Sequence, residues 1–441
     1  MRPNVLVVFT DQQRFDTTGV HGNPHGLTPH FDRMAREGVH VEHSFTGQPV
    51  CAPSRSALQT GRWPTSTGCF RNGIPLPPDE PTLAHRFGAA GYETAYIGKW
   101  HLADADVAGP VRPEQRGGYE RWLTSNLLEF TSDAYATTLY DEHGEPHDLP
   151  GYRADALTDA AVSYLRVRRD RPFFLFLSYL EPHHQNSRDD YPAPDGYRER
   201  LPDPWLPGDL AALDGNTREH LAGYYGMVQR VDECLGRLRA TLDELGLAED
   251  TVLLYTSDHG CHFKTRNDEY KRSCHDASLR VPTAFTGPGF ATGRPVRRLV
   301  SHLDLPPTLL DAAGLPVPAE MAGQSLLPLL RGTPDPRPDD VLVQISESQV
   351  GRALRTPRWK YAVVAPGADG WTTPAADRYV DSHLYDLEAD PHELHNLVDS
   401  PTHRGVLARL RARLVERIAE AEGVRPVLSS RRRAGRATAS G

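Results

Sequence analysis

Lysine is scarce in this chain of 441 residues. Lysine and arginine together number 49, but the lysines are only Lys99, Lys264, Lys271 and Lys360. Almost every cationic side chain is therefore a planar guanidinium, which does not replace a compact ammonium at a chemical site. A single lysine can persist by chance in so arginine-rich a composition, yet each one is also a candidate for a specific chemical task.

Other absences exclude whole classes of protein. The five cysteines are odd in number and contain no C-x-x-C pair, which argues against a disulfide framework or a zinc site. The net charge of −9 does not indicate a nucleic-acid partner. No apolar run approaches the length of a membrane span, and Val5–Phe9 is too short for the core of a signal peptide. We therefore expect a cytoplasmic protein that binds neither membrane nor nucleic acid.

Short apolar runs alternate with helical patterns along the chain. Val5–Phe9, Phe173–Leu180 and Val252–Thr256 end in polar residues, as buried parallel strands do. Apolar residues at steps of three and four across residues 221–245 predict a helix that stops at Gly246. This alternation predicts an α/β fold with a mostly parallel central sheet flanked by helices.

The chain is too long for one simple core, so we expect two structural units. A stretch rich in proline and charge at residues 329–340 is typical of a linker. We assign residues 1–335 to a catalytic domain and residues 336–425 to a smaller C-terminal subdomain with an antiparallel sheet and a helix. The remaining residues, 426–441, are small and basic, and they predict a disordered tail.

Polar residues directly follow three of the predicted strands. Asp11 follows the first strand, His183 follows the strand at Phe173–Leu180, and Asp258 follows the last strand. In open α/β sheets, ligands bind beyond the carboxyl ends of the strands. These three side chains are therefore expected on the same rim of the sheet, at a ligand site.

The most informative motif runs from Cys51 to Gly61, with the sequence C-A-P-S-R-S-A-L-Q-T-G. It resembles C-x-P-S-R-x-x-L-x-T-G, the signature of the type I sulfatases of the alkaline phosphatase superfamily. The segment at residues 383–397 also resembles one near the C-termini of sulfatases. This resemblance implies an alkaline-phosphatase-like fold and an enzyme that hydrolyses an organic sulfate ester, with a small sulfated carbohydrate as the expected substrate.

The resemblance also implies that Cys51 is changed after translation. In type I sulfatases a formylglycine-generating enzyme oxidises this cysteine to formylglycine, an aldehyde whose hydrate carries two hydroxyl groups. One hydroxyl attacks sulfur and the other later expels sulfate, which splits a difficult step into two easier ones. A serine would be left with a sulfate ester that resists hydrolysis. Without the motif, Cys51 would be interpreted as an inert buried thiol.

Two polar pairs, Asp11-Gln12 and Asp258-His259, match metal-binding positions of the family, and the resemblance adds Cys51 in its converted form as a further ligand. Oxygen ligands suit Ca²⁺, which is the expected ion. The imidazole of His259 also suits Mn²⁺, and Mg²⁺ is a further alternative. Gln12 and His259 replace the usual aspartate and asparagine, as they do in the choline sulfatase and phosphonate monoester hydrolase branches. An isolated Asp-His pair would otherwise be interpreted as a solvated loop.

Three cationic side chains are expected around the sulfate. Arg55 closes the signature motif, Lys99 lies in a G-K-W-H segment, and Lys271 precedes the run Leu279–Pro282. The last two regions resemble the G-K-W-H segment and the K-x-S then R-V-P run of sulfatases. Fixed cations at these positions would stabilise the negative charge that moves onto the leaving oxygen.

Two histidines would transfer protons in this interpretation. His183 resembles the histidine of the sulfatase P-H segment and, with Lys271, would protonate the leaving alkoxide. His101 would be the base that restores the aldehyde. Histidine suits both roles because its pKa lies near neutrality. The neighbouring His184 is an alternative to His183, and in a chain with 20 histidines a single one is more often structural.

Three further residues are weaker candidates for substrate binding. Asn72 lies in an Asn-Gly pair, which is first of all a turn signal. Lys264 could bind an acidic group on the substrate or be solvated. Arg352, together with Glu347, could reach the cleft from the C-terminal subdomain. The many arginines would suit uronates or further sulfates on the substrate.

Two other functions stay open at this point. Gln12 and His259 are compatible with a phosphonate or phosphate ester hydrolase of the same superfamily, which would use the same nucleophile. A non-catalytic binding protein could also keep the fold. Redox sensing by Cys51 is the least favoured hypothesis, because it gives no role to Arg55 or to the lysines Lys99 and Lys271.

Overall fold

Strands and helices alternate through most of the chain. The computed structural model describes residues 2–333, 335 and 337–431. The strands are β1 Asn4–Thr10, β2 Val39–Phe45, β3 Glu93–Lys99, β4 Arg121–Ser125, β5 Ser132–Asp133, β6 Ala136–Asp141, β7 Pro146–Leu149, β8 Phe173–Ser178, β9 Thr251–Ser257, β10 Ala284–Thr286, β11 Val296–Ser301, β12 Val341–Ile345, β13 Gly351–Arg355, β14 Trp359–Val364, β15 Arg378–Asp386 and β16 Val427–Ser429. The helices are α1 Pro29–Glu37, α2 Cys51–Thr60, α3 Pro64–Thr67, α4 Leu83–Ala89, α5 Leu128–Thr131, α6 Arg153–Arg166, α7 Gly208–Ala212, α8 Thr217–Glu244, α9 Asp276–Leu279, α10 Leu305–Ala312, α11 Leu327–Leu330 and α12 Arg404–Glu422.

The large sheet is built around β1. Its strand order is β11-β2-β10-β9-β1-β8-β3-β4-β6-β5, with β7 beside β6, and β9, β1, β8, β3 and β4 are parallel. Alternate side chains of a strand point to opposite faces, so each face needs its own apolar cover. Val5, Val7 and Phe9 enter one core, and Leu6 and Val8 enter the other. The predicted α/β fold with a mostly parallel central sheet is confirmed.

The long helix α8 covers one face of this sheet. Its residues Val231, Leu235 and Leu238 are buried in the same core as Leu6 of β1. The helix ends just before Gly246, whose positive φ of 67° costs glycine little, so the predicted helix is present with the predicted stop. Although α8 has 28 residues, neither it nor any other described helix is long and apolar enough to cross a membrane.

A smaller sheet lies at the C-terminal end. Strands β12 to β15 form an antiparallel meander, and α12 packs against it through Leu410, Leu414 and Ile418. This is the antiparallel sheet with a helix that the sequence predicts. The domain boundary between residues 335 and 336 stays a prediction, and the first strand of the small sheet begins at Val341.

The predicted disordered tail at residues 426–441 needs one correction. Val427–Ser429 forms β16, which pairs in parallel with Arg378–Val380 of β15. These backbone hydrogen bonds order the segment, and its composition gives no sign of them because the partner strand lies far away in the sequence. The part of the predicted tail at residues 432–441 lies outside the described residues.

A buried ion-pair network joins the small sheet to the rest of the molecule. Lys360 on β14 is fully buried, and its ammonium contacts Asp276 of α9 and, at 2.5 Å, Glu393. Arg355 also pairs with Asp276, at 3.2 Å. The backbone N–H of Asp276 donates to Glu393 at 2.7 Å. Buried charges of opposite sign therefore join the two sheets, beside an apolar cluster in which Phe45 and Leu299 pack against Val343.

We expect Lys360→Met to lower the free energy of unfolding by about 3–5 kcal/mol, because it leaves a buried carboxylate without its partner. The measurement is the denaturant midpoint followed by circular dichroism. Lys264→Met is the matched control: this lysine is one-third exposed and pairs with Asp189, so its loss should cost about 0–1 kcal/mol. Equal shifts of the midpoint in both variants would show that the buried ion pair contributes no more to stability than the exposed one.

Candidate active site

Cys51 is the first residue of α2, and every residue of this helix is buried. Val50 before it is extended, so the chain turns into the helix at Cys51 itself. The thiol thus lies at the helix N-terminus, where the backbone N–H groups favour negative charge. The backbone N–H of Ala52 donates to Oδ1 of Asn72 at 3.0 Å. The signature motif thus forms a helix whose start is held by Asn72, a residue that the sequence suggests only as a candidate for substrate binding.

Two carboxylates and an imidazole converge beside Cys51. β1 and β9 are parallel neighbours with Thr10 opposite Ser257, so Asp11 and Asp258 leave the sheet side by side. One ligand atom from each of Asp11, Cys51, Asp258 and His259 lies within 4.8 Å of the others. Nε2 of His259 is 3.4 Å from the Cys51 sulfur. The register of two adjacent strands therefore builds the pocket that the sequence predicts as a metal site.

Burial and neighbouring charges shift the pKa values of the two carboxyl groups in opposite directions. Burial and the neighbouring Asp11 raise the pKa of Asp258 to about 7. Burial and Cys51 act to raise the pKa of Asp11 as well, but Lys99, His183 and Arg55 hold it well below its ordinary value. A divalent cation between the carboxylates would relieve their repulsion. Two carboxylates with one imidazole fit Ca²⁺ or Mn²⁺.

Gln12, the fifth predicted ligand, makes other contacts. Its backbone N–H donates to Oδ1 of Asp258 at 2.9 Å. Its amide nitrogen donates to Tyr191 at 3.3 Å and to the sulfur of Cys261 at 3.4 Å, and its amide oxygen lies 3.4 Å from Nδ1 of His184. The backbone of Gln12 thus orients a metal-site carboxylate, and a role for its side chain as a ligand stays a prediction.

Two of the four lysines meet at Cys51. Nζ of Lys271 lies 2.8 Å and Nζ of Lys99 lies 4.0 Å from the sulfur. Burial alone would raise the pKa of the thiol, but Lys271, Lys99 and His259 bring it well below its ordinary value, and a hydrogen bond from His101 lowers it further. The surroundings of Cys51 therefore stabilise an anion, as expected around a bound sulfate.

Arg55 forms ion pairs with both carboxylates of the pocket. Its guanidinium lies 2.9 Å from Asp11 and 3.4 Å from Asp258, and it also donates to the hydroxyl of Ser178 at 2.8 Å. The sequence interpretation placed this arginine on the sulfate as a third cationic group. Its observed contacts compensate and orient the two carboxylates, and a contact of Arg55 with the sulfate stays a prediction.

The geometry distinguishes between the two candidate histidines at residues 183 and 184. Nδ1 of His183 donates to the backbone oxygen of His184 at 2.6 Å, so its Nε2 is left to face Nζ of Lys271 at 3.5 Å. Burial lowers the pKa of His183. The ring of His184 packs against Tyr270 and faces Gln12. His183 is therefore the histidine that shares the pocket with Lys271.

Glu129 is part of the site and carries no motif. It lies on the short helix α5 and is 5% exposed. Its Oε1 is 3.1 Å from Nζ of Lys99 and 3.7 Å from Nδ1 of His101. Burial would raise the pKa of this carboxyl group, but Lys99 and His101 lower it. Glu129 thus fixes Lys99 against Asp11 and faces His101, and nothing in the sequence around it signals this role.

The predicted substrate-binding residues have different positions. Lys264 pairs with Asp189 at 2.7 Å and remains one-third exposed. Arg352 is fully buried, and its guanidinium forms an ion pair with Glu422 of α12 at 2.6 Å. The expectation that Arg352 reaches the cleft is therefore wrong, because α12 covers that face of the small sheet. Glu347 does reach the site, where it accepts the backbone N–H of Asn72 at 2.7 Å.

The fold and the buried cluster around Cys51 define an ester hydrolase of the alkaline phosphatase superfamily. The sequence profile of the sulfatase family matches residues 3–315, and the profile of the N-sulphoglucosamine sulphohydrolase C-terminal region matches residues 268–420. The chain belongs to the sulfatase family and is a sulfuric ester hydrolase. The resemblance drawn from the signature motif is confirmed.

Individual relatives extend over nearly the whole chain. An ulvan-active sulfatase from Formosa agariphila is 32% identical over 438 residues, which cover 95% of this chain and 81% of the relative. A solved structure from work on glycosaminoglycan metabolism by Bacteroides thetaiotaomicron is 25% identical, with a TM-score of 0.80. The match covers 96% of this chain and 97% of the solved one. Another solved structure, in complex with its substrate D-glucosamine-2-N,6-O-disulfate, shares the fold with a TM-score of 0.79 at 22% identity. The match covers 97% of this chain and 99% of the solved one.

We expect Glu129→Gln to lower kcat for 4-nitrophenyl sulfate by about tenfold or more, a barrier increase of about 1.4 kcal/mol. The physical reason is that an amide cannot hold the ammonium of Lys99 by charge. Glu80→Gln is the matched control, because Glu80 is also buried but pairs with Arg62. Thermal unfolding of both variants checks that the fold is kept. A kcat of the Glu129 variant equal to that of the Glu80 variant would contradict the role.

Proposed function

We propose that this protein removes sulfate from a sulfated carbohydrate, with formylglycine derived from Cys51 as the nucleophile. The observation that supports this most directly is the position of Cys51 between the ammonium groups of Lys271 and Lys99, at 2.8 Å and 4.0 Å, and the carboxylate of Asp11, at 3.7 Å. One side of the nucleophile suits the negative charge of a sulfate group, and the other side suits a metal ion.

The modification and the ion supply the chemistry that the side chains alone lack. Formylglycine, installed by a formylglycine-generating enzyme, offers one hydroxyl for attack and a second for release of sulfate. Asp11, Asp258 and His259 would hold a divalent ion, with calcium expected and manganese or magnesium as alternatives, which polarises a sulfate oxygen. Arg55 keeps the two carboxylates in place for this ion.

The remaining residues of the site handle charge and protons. Lys99 and Lys271 neutralise the oxygens of the sulfate group. Lys271 and His183, 3.5 Å apart, deliver a proton to the leaving oxygen of the sugar. His101 accepts a proton from the second hydroxyl, and Glu129 faces its Nδ1. General acid–base catalysis of this kind contributes about 10²–10⁴-fold to a rate.

A carbohydrate substrate is supported by the ulvan-active relative, which matches 95% of this chain. The rival reading is a phosphonate or phosphate ester hydrolase, suggested by Gln12 and His259. The sulfate reading is favoured because the family profile covers residues 3–315 and includes all the pocket residues. The cytoplasmic location expected from the sequence stays a prediction.

The substrate class is tested by comparing kcat/KM for 4-nitrophenyl sulfate, sulfated mono- and disaccharides, and 4-nitrophenyl esters of phosphate and phenylphosphonate. We expect kcat/KM for the best sulfate ester to exceed that for the best phosphorus ester by about a hundredfold, or about 2.7 kcal/mol of barrier. Faster turnover of a phosphorus ester would favour the rival function. No turnover of any ester by protein with converted Cys51 would favour a binding protein.

The nucleophile is tested by intact mass and by substitution. Conversion of Cys51 lowers the mass by about 18 Da, since an aldehyde oxygen replaces the sulfur and two hydrogens in all. We expect Cys51→Ser to stop after at most one turnover, because a serine sulfate ester has no second hydroxyl to expel sulfate. Cys234→Ser, a buried cysteine on α8, is the control and should turn over normally. An active wild-type enzyme with an intact thiol would contradict the mechanism.

A further inference from the structure

We propose that Arg71 and Trp371 form a subsite for an anionic sugar unit next to the sulfated one. The ring of that sugar would stack on the indole of Trp371, and its carboxylate or second sulfate would pair with the guanidinium of Arg71. This inference rests on the proposed function, because it names the part of the substrate that the same active site holds beyond the reacting ester.

The subsite is tied to the nucleophile by a chain of hydrogen bonds. The backbone N–H of Ala52, next to Cys51, donates to the side chain of Asn72 at 3.0 Å. The backbone N–H of Asn72 donates to Glu347 at 2.7 Å, and the backbone N–H of Glu347 donates to the oxygen of Gly370 at 3.0 Å. Trp371 follows directly. These contacts link the loop that carries Trp371 to the backbone beside Cys51 through only Asn72 and Glu347.

Arg71 is a cation without a carboxylate partner among the described residues. Its NH1 donates only to the backbone oxygen of Asn72, at 2.7 Å, and its buried Nε has no hydrogen-bond partner there. The nearby Arg272 differs, since it pairs with Glu347 and, at 2.7 Å, with Glu269. The charge of Glu347 is thus already compensated. A half-buried guanidinium left uncompensated beside an active site is suited to an anionic ligand.

Trp371 presents an apolar face to solvent at this place. The residue is 47% exposed, and its ring centroid lies 5.9 Å from the guanidinium carbon of Arg71. Its loop is held in one shape, because Asp369 accepts backbone N–H groups from Trp371 and Thr373. A Cβ on Gly370 would lie 2.7 Å from the backbone nitrogen of Glu347, so the close approach of the loop requires glycine. An exposed aromatic ring on a fixed loop provides a flat binding surface at low entropic cost.

The two side chains together select for a particular substrate. A flat apolar surface beside a guanidinium matches a sugar ring that carries an anionic group, and a neutral sugar would leave the guanidinium unpaired. In the proposed function the scissile sulfate contacts Lys99 and Lys271. Asn72 and Glu347 lie between Cys51 and the loop of Trp371, so the unit on Trp371 would be a neighbouring one. The proposal therefore predicts a preference for acidic disaccharides over sulfated monosaccharides.

The experiment uses disaccharides released by lyases from ulvan and from chondroitin 6-sulfate, which carry a uronate beside the sulfated sugar. Each is compared with its carboxyl-reduced form and with 4-nitrophenyl sulfate as the reference substrate. For Arg71→Gln we expect the ratio of kcat/KM for the uronate disaccharide to that for the reference to fall about 10- to 100-fold, mainly through KM. Trp371→Ala should lower the same ratio about tenfold, and Trp371→Phe should restore most of it. A disulfated disaccharide distinguishes the two possible anions. If the ratio falls only for this substrate, and still falls after its carboxyl group has been reduced, the anion bound by Arg71 is a sulfate.

Trp205→Ala is the matched control, because Trp205 is 37% exposed and lies elsewhere, where its backbone N–H donates to Nε2 of His25. Its ratio should equal that of the wild type. Unchanged ratios in the Arg71 and Trp371 variants would overturn the subsite while leaving the proposed function intact. If the wild type hydrolyses none of the esters, the proposed function fails, and calorimetry of disaccharide binding to Cys51→Ala with and without Arg71→Gln decides the subsite separately. Equal affinities, or no binding at millimolar concentration, would overturn it.

Discussion

The site depends on the balance of opposite charges among side chains that are buried together. Asp11, Asp258, Lys99 and Arg55 are 2% exposed or less, and burying any of them alone would cost several kcal/mol. They are tolerated because each faces a partner of opposite sign at 2.8–3.4 Å. Arg55 and Lys99 lie on the carboxylate side of the pocket, and Lys271 lies against Cys51 on the other side. This separation of acidic and basic groups suits the metal ion and the sulfate of the proposed function.

The parallel sheet creates this arrangement by bringing strand ends to one edge. Asp11 leaves β1, Lys99 ends β3 and Asp258 leaves β9, so residues far apart in the sequence meet without long loops. Helix α2 then places Cys51 above that edge with its N-terminus toward the charges. A shift of one residue in the pairing of β1 with β9 would separate the carboxylates, because successive side chains of a strand point to opposite faces.

The parts of the site that the sequence predicts are those that local patterns reveal. Asp11 and Asp258 follow apolar runs, and Cys51 and Lys99 lie in recognisable motifs. Glu129 was missed because its role depends on where α5 packs, and no neighbouring residue signals that packing. Arg352 was misassigned for a related reason: its partner Glu422 lies 70 residues away on α12, and only the folded small sheet brings the two together. The order of β16 likewise depends on a distant strand.

Glu347 connects the nucleophile helix with the loop that carries the proposed sugar subsite. Its carboxylate accepts the N–H of Asn72 and pairs with Arg272, while its own N–H reaches the loop before Trp371. Both Glu347 and Arg272 have positive φ angles, 62° and 68°, a conformation that costs non-glycine residues about 1–3 kcal/mol each. Such strain persists only where surrounding contacts enforce it. The strained pair joins Asn72 to the loop before Trp371, so the position of Trp371 relative to Cys51 depends on how the two sheets dock. If the proposed subsite binds the neighbouring sugar, changes in this loop would alter sugar preference without disturbing the charged residues around Cys51.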